Sequence, residues 1–245
     1  MSTDLELARR LADAADAISL PRFRTGLAIE TKPDLTPVTE ADRAVEVELR
    51  RILADERPGD AILGEEQGAA GSGSRRWILD PIDGTRNYAR GIPVWGTLIA
   101  LEEDGVVQLG MVSAPALSHR WWAERGAGAF ADGEPIHVSA VSKIEDSVLS
   151  FAIEDNVPAI AKRAWHARGF GDFWSYMLIA EGSVDGAADG PGVGEWDLAA
   201  TQVIVEEAGG RFSDRHGEAR IDRGSAVASN GLIHDELLAA LGNES

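Results

Sequence analysis

Apolar residues recur every three to four positions at the start of the chain. Leu5, Ala8, Leu11, Ala12, Ala15 and Ile18 fall on one side of a helix. The spacing predicts an amphipathic helix over residues 4–20, stopped by Pro21. A loop carrying Pro33 and Pro37 is expected over 31–38. A second helix is predicted from Thr39, with Val45, Leu49, Ile52 and Leu53 on one face and Pro58-Gly59 at its end. The period then shortens. Residues 61–63 and 76–79 read as buried strands, separated by a Gly/Ser-rich surface loop over 67–74 that is expected to be mobile. Stretches 94–101 and 106–112 flank a turn at 102–105, a hairpin signal, and 123–130 and 136–138 read as further short strands. Beyond about residue 145, strand-like (147–152) and helix-like (157–167) segments alternate. A helix is predicted after Asp172, ending near Glu181-Gly182. Another spans 197–208, closed by Gly209-Gly210, followed by a strand over 226–229 and a helix over 234–241. Helices first, hairpins next and alternating elements last predict layered α and β structure in two subdomains, 1–144 and 145–245.

Composition narrows the classes. A length of 245 residues, 44% hydrophobic and 26% charged, is that of an ordinary globular chain and excludes disorder as the default state. The 41 acidic residues outnumber the 23 Lys and Arg, leaving a formal charge of −18, which argues against a nucleic-acid backbone or an anionic membrane as partner. A small phosphorylated molecule remains compatible, because metal ions can supply the positive field. There is no cysteine, so disulfides, thiolate metal sites and cysteine nucleophiles are excluded. The first ten residues are polar and acidic, and the longest apolar run, 93–101, is too short to cross a bilayer. A cytoplasmic location is expected. The five histidines show no metal-ligand spacing, which disfavours zinc. No G-x-S-x-G, P-loop or G-x-G-x-x-G is present.

Four acidic elements carry the candidate chemistry. In Trp77-Ile78-Leu79-Asp80-Pro81-Ile82-Asp83-Gly84-Thr85, an apolar strand ends in an acid, and Pro81 is expected to turn the chain there. Asp80 and Asp83 can then converge. Gly84 allows close backbone approach to a ligand, and Gly84, Thr85 and Arg86 can open a short helix whose N–H groups face an anion. Two acids beside free amides suit a hard cation and a phosphate held together. The same letters also fit a plain β-turn with solvated acids. Glu65, in Gly64-Glu65-Glu66, follows a predicted strand, where α/β proteins place sites, or else it lies in a solvated loop. Asp42, three residues after Thr39, fits a capping box. Asp197 opens a predicted helix after the Gly-rich stretch 190–194, as an N-cap would. Four such acids around one cavity would repel one another unless a divalent cation neutralised them.

The stretch WILDPIDGTRNYAR (77–90) resembles the signature of the inositol monophosphatase family of Mg²⁺-dependent phosphatases. The segments KPDLTPVTEAD (32–42), GEE (64–66), WDLAA (196–200) and EAGG (207–210) match in the same order, so the resemblance spans about residues 5–240. It implies an α-β-α-β-α sandwich of the type shared with fructose-1,6-bisphosphatase. It further implies two or three Mg²⁺ per active site. Glu65, Asp80 and the Ile82 carbonyl would hold one, and Asp80, Asp83 and Asp197 a second. The amides of Gly84 and Thr85 would hold the substrate phosphate, while Asp42, Thr85 and Glu65 would orient and deprotonate the attacking water. Thr201 departs from the small residue many relatives carry after WDLAA; a packing change is expected there, with metal binding kept. A homodimer is expected by resemblance only.

Residues 168–176, RGFGDFWSY, look like the histidinol-phosphatase branch of that family. That branch removes phosphate from L-histidinol phosphate in histidine biosynthesis. Asp172 can pair with an ammonium or imidazolium and Arg168 can bind phosphate; alternatively the two pair with each other at i, i+4. Trp174 and Tyr176 are expected in the core or an interface. The alternatives are an inositol-1-phosphatase, a broader small-molecule phosphatase acting on sugar bisphosphates or 3′-phosphoadenosine 5′-phosphate, and a non-catalytic metal- or phosphate-binding regulator.

Overall fold

The first apolar stripe forms helix α1 (Thr3–Ser19), capped by the Ser2 hydroxyl, and Pro21 turns the chain out through a 3₁₀ turn at Leu20–Arg22. The structure, a computed structural model, describes residues 2–26, 29–31, 37–151 and 158–242. Strands β1 (Ile29–Thr31) and β2 (Pro37–Thr39) pair antiparallel before α2 (Glu40–Glu56). Next come β3 (Ala61–Gly64), β4 (Gly68–Ala70), β5 (Arg75–Asp83), the short α3 (Thr85–Arg90), β6 (Gly96–Glu103), β7 (Val106–Ala114), β8 (His119–Glu124), β9 (Gly128–Ala131) and β10 (Glu134–Ile136). The remainder comprises β11 (Val148–Phe151), β12 (His166–Arg168), α4 (Asp172–Ala180), β13 (Gly186–Asp189), α5 (Glu195–Glu207), β14 (Arg211–Ser213), β15 (Ala226–Ser229) and α6 (His234–Gly242).

Two sheets carry the fold. The larger has eight strands in the order β10-β9-β8-β7-β6-β5-β3-β4, and the smaller five, β12-β11-β13-β15-β14. Strand alternation splits the large sheet's residues between two cores. Trp77, Leu79, Ile99 and Met111 meet Leu7 and Leu11 of α1 and Leu49 and Leu53 of α2. Ile78, Leu98, Val112 and Trp121 face the other way, onto α4 and α5. Those two helices also cover Ala187, Phe212 and Ala228 of the small sheet, whose far side packs Leu149 and Val227 on Leu237 of α6. The layers run α-β-α-β-α, as the resemblance implies. Close approach is built in at Gly110 on β7, where a Cβ would stand 2.5 Å from the Ala200 carbonyl and 2.6 Å from Val203 of α5. Thr201 fits this packed face by turning its hydroxyl onto the Leu198 carbonyl at 3.0 Å. The β6–β7 turn is Asp104-Gly105, both at positive φ (51° and 77°), the geometry of a two-residue hairpin.

Several sequence expectations are corrected. The ends of the 31–38 loop are strand, with residues 32–36 outside the described residues. The 67–74 loop contains β4, which pairs with β3. The 123–130 segment is two strands, β8 and β9, broken by a turn at residues 125–127 with Gly126 at φ 78°. The strand expected at 136–138 ends at Ile136. The 157–167 segment is no α-helix: it forms a 3₁₀ turn at Ala159–Lys162 and then β12, and Val157 and Ala152 lie outside the described residues. Parallel pairing with β11 draws His166–Arg168 into the small sheet instead. No helix among the described residues is long and apolar enough to cross a membrane.

Candidate active site

The site forms where β3 and β5 end side by side. These strands are parallel, with Gly64 opposite Leu79, and the Glu65 N–H continues the ladder onto the Leu79 carbonyl at 3.1 Å. Parallel pairing therefore brings Glu65 beside Asp80 although 15 positions separate them in the chain. Pro81 does not end β5. The strand runs on to Asp83 through a bulge, because Asp80 pairs with Leu98 and Asp83 with Gly96. The Thr97 hydroxyl donates to the Pro81 carbonyl at 2.8 Å within the bulge. Ile82, fully buried, packs with Ala41, Tyr88 and Trp95 and so anchors the bulge. Gly84 then takes a left-handed conformation (φ 80°) and starts α3.

Asp197 arrives from α5, across the sheet. It sits at the third position of the helix, where one oxygen accepts from the Gly194 N–H at 2.6 Å. Ligand atoms of Asp80, Asp83 and Asp197 all lie within 4.8 Å of one another. Asp80 is buried, and its Oδ1 has no hydrogen-bond partner. Burial first, and then the charges of Glu65, Asp83 and Asp197, push its pKa well above the ordinary carboxylate value. Asp83 is raised likewise by burial and by Asp172, Asp197 and Glu65, against the Phe173 N–H that donates to it at 2.5 Å. A hard dication answers this arrangement: an orphaned carboxylate oxygen, three converging acids and only oxygen donors suit magnesium.

Asp42 closes a capping box on α2, accepting the Thr39 N–H at 2.9 Å and its hydroxyl at 2.5 Å through Oδ2. Its other oxygen lies 3.2 Å from the Thr85 hydroxyl, which also lies 3.0 Å from the Ile82 carbonyl. The capping box expected from sequence is thus present, and the second oxygen of the same side chain reaches Thr85. Burial raises its pKa against the pull of these hydrogen bonds.

Glu65, Asp80, Ile82, Asp83, Gly84 and Thr85 line one cavity of about 460 Å³, together with Asp172 and Asp197. A larger hollow of about 900 Å³ is bordered by Leu5, Arg9, Trp122 and Phe130; among the described residues, the group of acids spaced to hold a metal lies in the smaller cavity. Asp172 begins α4 at φ 50°, a left-handed backbone rare outside glycine and a form of strain found at functional sites. It accepts from the Asn87 side chain at 3.2 Å. Desolvation, with the charges of Asp189 and Asp197, raises its pKa to about 6, while Arg86 acts the other way. The side chain keeps an open face to the cavity, where solvent screens these charges. Arg168 is exposed on edge strand β12, is not among the residues lining the cavity, and makes no ion pair with Asp172. Trp174 packs edge-on against Trp121, and buried Tyr176 donates its hydroxyl to Asp189, as core residues do.

Two groups at the site escaped the sequence reading. Asp189 ends β13 behind Asp172, with nothing in its surroundings (Ala188, Gly190) to mark it. Glu46 is fully buried on α2, where it accepts from the backbone of the loop that carries Glu65. Its signal was present: it stands four residues after Asp42, on the same helical face.

The model of the inositol monophosphatase family matches residues 1–245. The histidinol-phosphatase of Mycobacterium tuberculosis is 52% identical, over 97% of this chain and 97% of its own length. That of Streptomyces coelicolor is 48% identical, over 97% and 96%. Among solved structures, an inositol monophosphatase of Thermotoga maritima shares the fold with a TM-score of 0.92 at 32% identity, covering 99% of this chain and 98% of that one.

Proposed function

The chain belongs to the inositol monophosphatase family, and from that premise we propose that it hydrolyses L-histidinol phosphate to L-histidinol and phosphate with Mg²⁺. It is a phosphoric monoester hydrolase; the histidinol-phosphatases at 52% and 48% identity support the substrate. The observation that carries the reaction is the convergence of Asp80, Asp83 and Asp197, from two separate segments, beside the Asp42–Thr85 pair.

Glu65, Asp80 and the Ile82 carbonyl would hold one Mg²⁺ and Asp80, Asp83 and Asp197 a second, with two or three ions per site. When bound, magnesium supplies a Lewis acid that activates water and offsets the charge gathering on the phosphoryl group and its leaving oxygen. The protein's own groups do the rest. Gly84 and Thr85, at the start of α3, offer amides to the phosphate. The Thr85 hydroxyl donates to Asp42 and thereby presents its lone pairs to the attacking water. Asp42, made more basic by burial, and Glu65 receive the proton. Transfer goes directly to water, without a phosphoenzyme. Uncatalysed monoester hydrolysis is so slow that positioning and charge neutralisation must supply most of the acceleration.

Asp172 supports the choice of substrate. It opens into the cavity in an acidic surround, suited to an ammonium or imidazolium and of little use to a neutral inositol ring. Arg168, expected from sequence as a phosphate ligand, is not among the residues lining the cavity and is given no role in this reading. A homodimer is carried over from the family resemblance, and the cytoplasm from the cysteine-free composition and the polar first ten residues. The test is phosphate release from L-histidinol phosphate and from myo-inositol 1-phosphate. Asp172→Asn is expected to raise KM for histidinol phosphate by about 10-fold or more, the worth of one charge-assisted contact, and to leave the inositol rate unchanged. Equal wild-type rates on the two substrates would overturn the specific assignment and leave the reaction class standing.

A further inference from the structure

Glu46 has no place in the reaction as described, yet it is a carboxylate with no exposure beneath an acidic site. Its Oε2 accepts the Glu66 N–H at 2.7 Å and its Oε1 the Gln67 N–H at 3.1 Å. Arg50, one turn further along α2, donates to the same Oε1 at 2.7 Å and sends a second N–H to the Gly68 carbonyl at 2.5 Å. Three consecutive residues, 66 to 68, are thus tied to one side-chain pair. They immediately follow Glu65 and close the turn between β3 and β4.

Gly64 shows how tightly the parts fit. A Cβ there would stand 2.3 Å from Glu46 Oε1, 2.6 Å from its Cδ and 2.8 Å from Arg50 Nη2. The backbone at Gly64 is not left-handed, so glycine is needed for room, not for conformation. Three donors converge on the two oxygens of Glu46. A glutamine has one acceptor oxygen and would turn an NH₂ toward at least one of those donors. Arg50 neutralises the carboxylate, so the clamp adds no net charge beneath Glu65, Asp80, Asp83 and Asp197.

We propose that Glu46 is a positioning residue for the metal site: with Arg50 it fixes the Glu65–Gly68 turn and so sets where the Glu65 carboxylate meets the cation. The inference rests on the reading of Glu65 as a metal ligand. Supporting partners of this kind are worth 10- to 100-fold in metal affinity.

The experiment is Mg²⁺ titration by calorimetry on the full chain, with steady-state kinetics at varied Mg²⁺. Glu46→Gln is expected to weaken Mg²⁺ binding by about 10- to 100-fold. The Mg²⁺ concentration for half-maximal rate should rise in parallel, with kcat at saturating Mg²⁺ within a few-fold of wild type. Gly64→Ala, which pushes the carboxylate aside without touching it chemically, should give the same loss. The double variant Glu46→Ala/Gly64→Ala should be no worse than Glu46→Ala alone, because the space is vacated. Leu53→Val, in the core face of the same helix, should lower the melting temperature and leave Mg²⁺ affinity intact, separating positioning from stability. Wild-type affinity in Glu46→Gln or, if that variant does not fold, in Gly64→Ala would overturn the inference, provided Glu65→Gln weakens binding. Unchanged binding in Glu65→Gln would instead remove the reading of Glu65 as a ligand.

Discussion

Asp42 and Asp197 each stand at the third position of a helix and bond back to the residue that caps it, Thr39 at 2.9 Å and Gly194 at 2.6 Å. A carboxylate has two oxygens, so a capping acid still has one to spend on chemistry. At Asp42 the capping box expected from sequence is present, whereas Asp197 stands two residues inside α5 and not at its N-cap, which is Gly194; at both positions the cap leaves an oxygen for the proposed chemistry. His234 shows the opposite case, a titratable residue used for packing. It is fully buried between Ser213 (2.9 Å to Nε2) and Ser229 (3.0 Å to Nδ1). Ser213 donates to the Asp214 carbonyl, so it accepts from Nε2–H, and Ser229 donates to a bare Nδ1. Burial, assisted by Arg211, lowers the His234 pKa from 6.5 to about 4. Between those values the unfolded chain takes up a proton at this residue and the folded chain does not. Stability is therefore present above pH 6.5 and lost as pH falls toward 4, by roughly 2–3 kcal/mol. His234→Gln, which can keep an N–H toward Ser213, should show a shallower acid-side loss in urea denaturation. An identical slope in the two proteins would remove His234 as its source.

Helix α5 is the element on which the site depends most from a distance. It carries Asp197 at its start and rests on β7 through the bare backbone of Gly110. Gly110→Ala places a methyl 2.5 Å from the Ala200 carbonyl, which cannot yield without moving the helix. The expected cost is about 1–3 kcal/mol of stability by chemical denaturation, with weaker Mg²⁺ binding because Asp197 shifts with α5. Full stability and full affinity would show that the layer is softer than the contact implies. Elements of this kind were legible in the sequence where one period ran long enough to read. Helices α1, α2 and α5 and the β6–β7 hairpin, with its Asp104-Gly105 turn, fall close to their expected places. What was illegible depends on partners. β4 is three small residues that become a strand only by pairing with β3, and β5 outruns Pro81 because a bulge and the Thr97 hydroxyl satisfy the backbone. At 157–167 apolar spacing mimicked a helix, and parallel pairing of residues 166–168 with β11 decided otherwise.

At the scale of the molecule, the layers exist in function to bring together acids that are distant in sequence. The motif letters marked Glu65, Asp80, Asp83 and Asp197, but only the parallel pairing of β3 with β5 and the packing of α5 across the large sheet explain their meeting. Asp189 and Glu46 were missed because their roles depend on neighbours contributed by other elements. Asp172 enters the cavity and Arg168 does not, since β12 leaves the latter on an outer edge. Carboxylates set this close repel one another unless a cation neutralises them, and the proposed metal dependence follows from that repulsion. The most direct measurement is phosphate release from L-histidinol phosphate by metal-stripped protein, before and after adding Mg²⁺, for wild type and Asp80→Asn. Negligible turnover is expected without metal, recovery with Mg²⁺ in the wild type, and a loss of about 10²–10⁴-fold in a folded Asp80→Asn protein. Turnover that survives chelation, or a fully active Asp80→Asn, would contradict this expectation.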